Sequence, residues 1–210
     1  MKLFKLKSFE GNGLFYILDL ICKKQIYLST CESMNDINEG HWDYAQNPDA
    51  KYLEKASILR EIVDSQRFTC FLKSISYPLM WAHYAGGFSG IALEYNFDSD
   101  KNDIREIIYE GAPVVSMDQI EGVISGNLLP QDIGILKQKA ECWAYEDEWR
   151  LYGKGEYLEN IAPKSVIFGA KSSKYSPVLY EIAEKWNLSI GYLNPVSDLN
   201  YEIEYINQKT

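Results

Sequence analysis

The sequence predicts an α+β fold with a mixed, mainly antiparallel central sheet and flanking helices, and three observations predict it. Strand-like segments outnumber helical ones. The two kinds do not alternate as they do in doubly wound proteins. The glycine cluster Gly86 to Gly90 opens a strand instead of a helix and lacks the Lys-Ser/Thr ending of a phosphate-binding loop. With 210 residues, 46% of them hydrophobic, the chain has the size of one domain and can bury a sizeable core, so 1–210 is read as a single globular domain.

In chain order, "KLFKLK" alternates as a short strand, and "EGNG" turns into "GLFYILDLICKK", where Leu14, Ile17, Leu18 and Ile21 recur at helical spacing. "QIYLST" reads as a second strand. The polar stretch from Cys31 to Ala50, punctuated by aromatic residues, reads as an ordered loop, and "YLEKASILREIVDSQ" as an amphipathic helix. "RFTCFLKS" follows as a strand, then "YPLMWAHYAGG" as a helical turn opened by Pro78, then strands "GIALEYNF" and "REIIYEG". Two helix candidates separated by Pro130 lie between Ser116 and Ala140. The chain closes with strand "KSVIFGA", helix "PVLYEIAEKWN" and strands "LSIGYL" and "YEIEYI".

The net charge of -9 argues against a surface that neutralises many duplex phosphates. Cys22, Cys31, Cys70 and Cys142 are far apart without a Cys-x-x-Cys pair, so no metal site is expected. Glu10 and Asp19 interrupt the apolar N-terminal run and no cleavage site follows, so the expectation is a cytoplasmic protein with reduced thiols and no membrane association.

The chemistry concentrates in three stretches. In "KAECWAYEDEWRLYG", read as a strand, Glu146, Glu148 and Arg150 share one face while Trp143, Tyr145, Trp149 and Leu151 share the other. A Glu-x-Glu on a strand face separates two carboxylates by about 6.5 to 7 Å. In "LMWAHYAGGFSGIALEY", Trp81 and Tyr84 stand three apart on one helix face with His83 beside them. In "MNDINEG", Asn35, Asp36, Asn38 and Glu39 are turn formers that could cap the next segment or bind a ribose or amide. A structural reading stands beside each: a salt-bridged strand over a tryptophan-rich core, core rings with a satisfied histidine, and a plain turn.

Together with "LFKL" near the start and "VIFGA" near the end, these stretches resemble the domain-of-unknown-function family 2971, found mostly in bacteria. The resemblance rests on the Trp-x-x-Tyr and Trp-x-Tyr-Glu-x-Glu-Trp-Arg patterns. The family's Phe-Asn-Asp-Pro-Phe-Glu stands here as Met34, Asn35, Asp36, Ile37, Asn38 and Glu39, and its Leu-Tyr-Lys-Tyr as Leu3, Phe4, Lys5 and Leu6.

The Glu-x-Glu also resembles that of mono-ADP-ribosyltransferases. That resemblance implies NAD as substrate, with Glu148 stabilising the oxocarbenium-like transition state and Glu146 orienting the acceptor. Arg150 keeps Glu148 ionised or binds a phosphate, and Lys5 meets the pyrophosphate. On that reading Tyr27, Ser29, Asn35, Asp36, Trp81 and His83 are expected to line the nucleotide site, and Tyr84 to join the catalytic set. Such an enzyme is expected to be a bacterial toxin or phage-defence effector, with a neutralising partner protein and an acceptor the sequence does not name. The alternative is a non-catalytic ligand-binding or protein-interaction domain. Burial separates the two: catalysis needs Glu148 buried in a cleft, whereas an interaction surface leaves it exposed.

Overall fold

The structure is a computed structural model that describes residues 1–45, 47–172, 176–197 and 200–207. The first half of the described chain runs β1 (Lys2–Lys7), α1 (Gly13–Leu18), β2 (Ile26–Tyr27), β3 (Asp43–Tyr44), α2 (Ala50–Ser65), β4 (Arg67–Leu72), α3 (Pro78–Tyr84) and β5 (Ile91–Asn96). The second half runs β6 (Ile104–Glu106), β7 (Val114–Val115), α4 (Met117–Ile124), β8 (Glu148–Gly153), β9 (Tyr157–Leu158), β10 (Ser165–Phe168), α5 (Ser176–Lys185), β11 (Ser189–Ser197) and β12 (Asn200–Asn207). These elements group into two compact units, one of Met1–Tyr27, Cys70–Asp103 and Tyr157–Thr210, the other of Leu28–Thr69 and Ile104–Glu156.

The first unit holds strands in the order β12, β11, β10, β5, β1. β10 and β11 are parallel and joined through α5, while the other neighbours are antiparallel, so the sheet is mixed and mainly antiparallel as the sequence predicts. β5 reads as a continuous apolar run because Ile91, Ala92 and Leu93 have no exposure on either face. Glu94 interrupts that run at 6% exposure. It is satisfied by Lys2 at 3.2 Å, by Ser165 at 3.3 Å and by the Tyr205 hydroxyl, which reaches in from β12. Burial first, and the Glu94 carboxylate second, push the Tyr205 phenol up to about 12.

In the second unit β6 pairs antiparallel with β8, and β3 pairs parallel with β7. Helix α2 starts at Asp49, whose side chain accepts the Tyr52 N–H at 2.7 Å, and buries Tyr52, Ala56, Leu59 and Val63 on one stripe. Helix α4 carries a capping box between Ser116 and Gln119.

Two segments differ from the expected strands: of "REIIYEG" only Arg105 and Glu106 lie in β6, and the stretch from Lys139 is strand only at its end. Glu141–Glu146 is a 3-10 helix, Asp147 takes a left-handed φ of 46°, and only Glu148–Gly153 is strand. Aspartate tolerates that conformation and ends the period-two pattern there. Glu146, Glu148, Arg150 and Leu151 are buried, while Trp143 and Trp149, read as part of a tryptophan-rich core, are only half-buried.

Gly90 shows how tightly the first unit is packed. A Cβ there falls 2.1 Å from the Lys7 carbonyl oxygen and 3.0 Å from that of Ala85. Gly90→Ala is therefore expected to lower stability by about 1–3 kcal/mol, read from urea unfolding, because the β1 to β5 pairing has to spread.

Candidate functional site

The second unit contains a buried chain of alternating charge. Glu39 is delivered into it by consecutive turns: the Asp36 side chain accepts the Asn38 N–H at 2.9 Å, and the Asp36 carbonyl accepts the Glu39 N–H at 3.1 Å. Gly40 follows with φ 71°, a conformation that favours glycine, and a Cβ there falls a tight 3.1 Å from both Cys31 Sγ and Val63 Cγ1.

Arg150, on β8, grips Glu39 with both terminal nitrogens at 2.6 Å each, a bidentate fork between residues 111 apart in sequence. Its Nε donates to Glu148 at 2.6 Å and its Nη1 also to the Leu136 carbonyl at 2.8 Å. Leu136 has a left-handed φ of 67°, and its carbonyl also accepts the Tyr152 hydroxyl at 2.6 Å. The guanidinium lies 4.6 Å above the Phe68 ring. Arg150 is 0% exposed, so every one of these contacts is made without competing water.

Glu148 is fixed at the first residue of β8. Its N–H donates to the Tyr109 hydroxyl at 2.8 Å and its carbonyl accepts the Ile107 N–H at 3.0 Å. Its second carboxylate oxygen accepts from Lys139 at 2.9 Å, and the same ammonium donates to Glu146 at 2.7 Å. Burial alone pushes the Lys139 ammonium down, but the Glu148 and Glu146 carboxylates outweigh it and hold its pKa above the ordinary lysine range. Burial raises the Tyr109 phenol as well. The sequence of contacts is thus Glu39, Arg150, Glu148, Lys139, Glu146. Chemically it presents two fixed anions side by side, oriented by two cations, in a region of low dielectric.

A cavity of about 530 Å³ in the same unit touches Cys31, Glu32, Asp36, Glu39 and Asp64. Cys31 is 8% exposed, and burial, then Glu39, push its thiol up to about 11. Among the described residues no group of three or more His, Cys, Asp or Glu side chains is placed to hold a metal ion.

The structure thus brings Glu146, Glu148 and Arg150 together, with Asp36 shaping the turn that supplies Glu39. In the same unit Asn35 is exposed, and Ser29 pairs its backbone with Phe68 in an isolated bridge. The remaining candidates belong to the first unit. Lys5 donates to the Cys70 carbonyl at 2.9 Å and lies 5.0 Å over the Phe71 ring. Tyr27 is 50% exposed and meets Tyr157 edge-on at 5.5 Å. Trp81 has no exposure and its indole N–H donates to the Ile75 carbonyl at 2.7 Å. His83 is exposed, and its ring lies 6.3 Å from that of half-buried Tyr84. Sequence reasoning missed Lys139, Tyr109 and the role of Glu39. The one available signal was an arginine on a carboxylate face, which demands a partner beyond its own strand.

Removing one partner of the Arg150 to Glu39 pair leaves a buried, uncompensated charge. Arg150→Met and Glu39→Gln are each expected to cost about 3–5 kcal/mol in urea unfolding, and the double substitution clearly less than their sum. Trp149→Ala, in contrast, is expected to cost less than the roughly 3–5 kcal/mol of a fully buried tryptophan.

No curated protein and no solved structure matches the chain. A family model does: the one described as "Protein of unknown function (DUF2971)" matches residues 80–151. That span reaches from Met80 in α3 to Leu151 in β8 and takes in Tyr109, Lys139, Glu146, Glu148 and Arg150. Over residues 80–151 the chain is thus similar to the DUF2971 family, and most of the buried charge chain lies within that span.

Proposed function

We propose that the chain is an NAD-consuming enzyme of the ADP-ribosyltransferase or NAD-glycohydrolase kind, with Glu148 as the anion that stabilises the transition state. The observation that carries this reading is the burial of Glu148, 2% exposed, with its carboxylate oriented by Arg150 and Lys139. An acidic surface for a protein partner would keep that carboxylate in water. In the proposed step the bond between nicotinamide N1 and ribose C1′ breaks, and its electron pair leaves with nicotinamide. The positive charge that develops on the ribose faces Glu148, whose position requires no reorganisation. Oxygen of water or of an acceptor attacks C1′, and its proton passes to Glu146.

Among the five ionic side chains Lys139 keeps the most exposure, 9% against 3% or less. The reading rests on residues of the second unit, and it implies a cytoplasmic, bacterial toxin or defence effector held in check by a partner protein. Among the described residues no helix is long and apolar enough to cross a membrane.

A second reading, a ligand-binding domain without catalysis, is favoured by the 530 Å³ cavity, whose lining includes Glu39 but not Glu148. Its four carboxylates suit a cationic ligand better than a pyrophosphate.

Nicotinamide release from NAD by purified protein tests the first reading. Glu148→Gln keeps shape and one acceptor oxygen but removes charge, and is expected to lower turnover by about 10² to 10³ with folding intact. Glu146→Gln is expected to reduce transfer to an acceptor more than hydrolysis. Wild-type protein freed of any partner that neither releases nicotinamide nor binds NAD in calorimetry at millimolar ligand would leave the second reading standing.

A further inference from the structure

We infer that Lys139 is the positioning residue of the glutamate pair: its ammonium, and no regularity of the backbone, brings the Glu146 and Glu148 carboxylates together and sets the direction of each. On a continuous strand, residues two apart share a face automatically. Here they do not share an element. Glu146 closes a 3-10 helix, Glu148 opens β8, and the left-handed Asp147 stands between them. What the two carboxylates have in common is Lys139 Nζ, 2.7 Å from one and 2.9 Å from the other.

The lysine is built to hold that place. Its N–H donates to the Ile108 carbonyl and its own carbonyl accepts the Gly111 N–H, both at 2.9 Å, so the root of the side chain is fixed on both sides. The ammonium sits 4.9 Å from the Trp143 ring centre, which gives the cation a π face beside its two carboxylates. On Glu148, Arg150 Nε takes the other oxygen, so the orientation of the carboxylate plane is decided by the two cations together. Without Lys139, two like charges a few ångströms apart repel, and the contact that holds the Glu146 carboxylate against that of Glu148 is lost.

The activity arm of the test rests on the proposed NAD chemistry, and a second arm does not. Lys139→Met keeps volume and removes charge, and is expected to lower kcat for nicotinamide release by about 10² to 10³ with KM unchanged, whereas Lys139→Arg is expected to lose less than about tenfold. In Lys139→Ala, propylammonium chloride is expected to raise the melting temperature by several degrees over an equal concentration of sodium chloride and to restore the Trp143 fluorescence, with no such effect on wild type. Lys139→Met turnover equal to wild type, or a Lys139→Ala protein that responds equally to propylammonium and sodium, overturns the assignment. A wild type that releases no nicotinamide removes the proposed function and leaves the melting arm to decide. If Lys139→Ala does not fold, the Lys139→Met/Glu146→Gln double variant decides: recovered folding supports the role, and continued misfolding overturns it.

Discussion

A guanidinium with no solvent exposure must find its counter-charges inside the protein, and Arg150 finds two. Glu39 takes its terminal nitrogens and Glu148 its Nε. Placing such an ion in a protein interior is favourable only when its geometry is nearly ideal and its remaining donors are satisfied. The details of the second unit follow from that requirement. The turns of the 35–40 loop aim Glu39 inward, Gly40 lets the loop close, Phe68 offers a ring face, and Leu136 adopts a left-handed backbone that presents its carbonyl.

The charges continue past Arg150 because Glu148 has a second oxygen to satisfy. Lys139 does so and thereby requires Glu146. Three carboxylates and two cations leave the chain of five with one net negative charge, a residue of anionic character held away from bulk water. That arrangement suits stabilisation of a cation that forms only during a reaction. It also joins two motifs: the glutamate of "MNDINEG", Glu39, and the arginine ending "WAYEDEWR", Arg150, are two sides of one ion pair.

The sheet-forming segments were legible in the sequence because their composition and period agree, as in "GIALEYNF" and "KSVIFGA". So were α2 and α3, with their stripe of apolar positions and their leading proline. The very short strands β3, β7 and β9 were not, since two residues carry no periodicity. The stretch from Glu141 to Gly153 misled for a physical reason: alternation of aromatic and charged residues is a strand signal only while every residue has extended backbone. Asp147 departs from it. Burial of the charges was left open there, because hydrophobicity scales treat each charge singly, whereas these charges enter the interior already paired. Lys139 was invisible for a related reason, since a lysine beside a strand reads as solvent-facing until its neighbours in space are known.

Asp147 has a consequence of its own. One left-handed residue works as a punctuation mark between two segments that must keep their phase. Asparagine or glycine can stand in its place, because both accept positive φ, whereas β-branched side chains meet a steric penalty there. Length is stricter still. Inserting or deleting a single residue beside it rotates Glu146 by about a third of a turn of its 3-10 helix and takes its carboxylate off the shared ammonium. The stretch from 139 to 148 is therefore a spacer whose residue count matters more than most of its letters, and natural or engineered variation in it should be sought in composition before length.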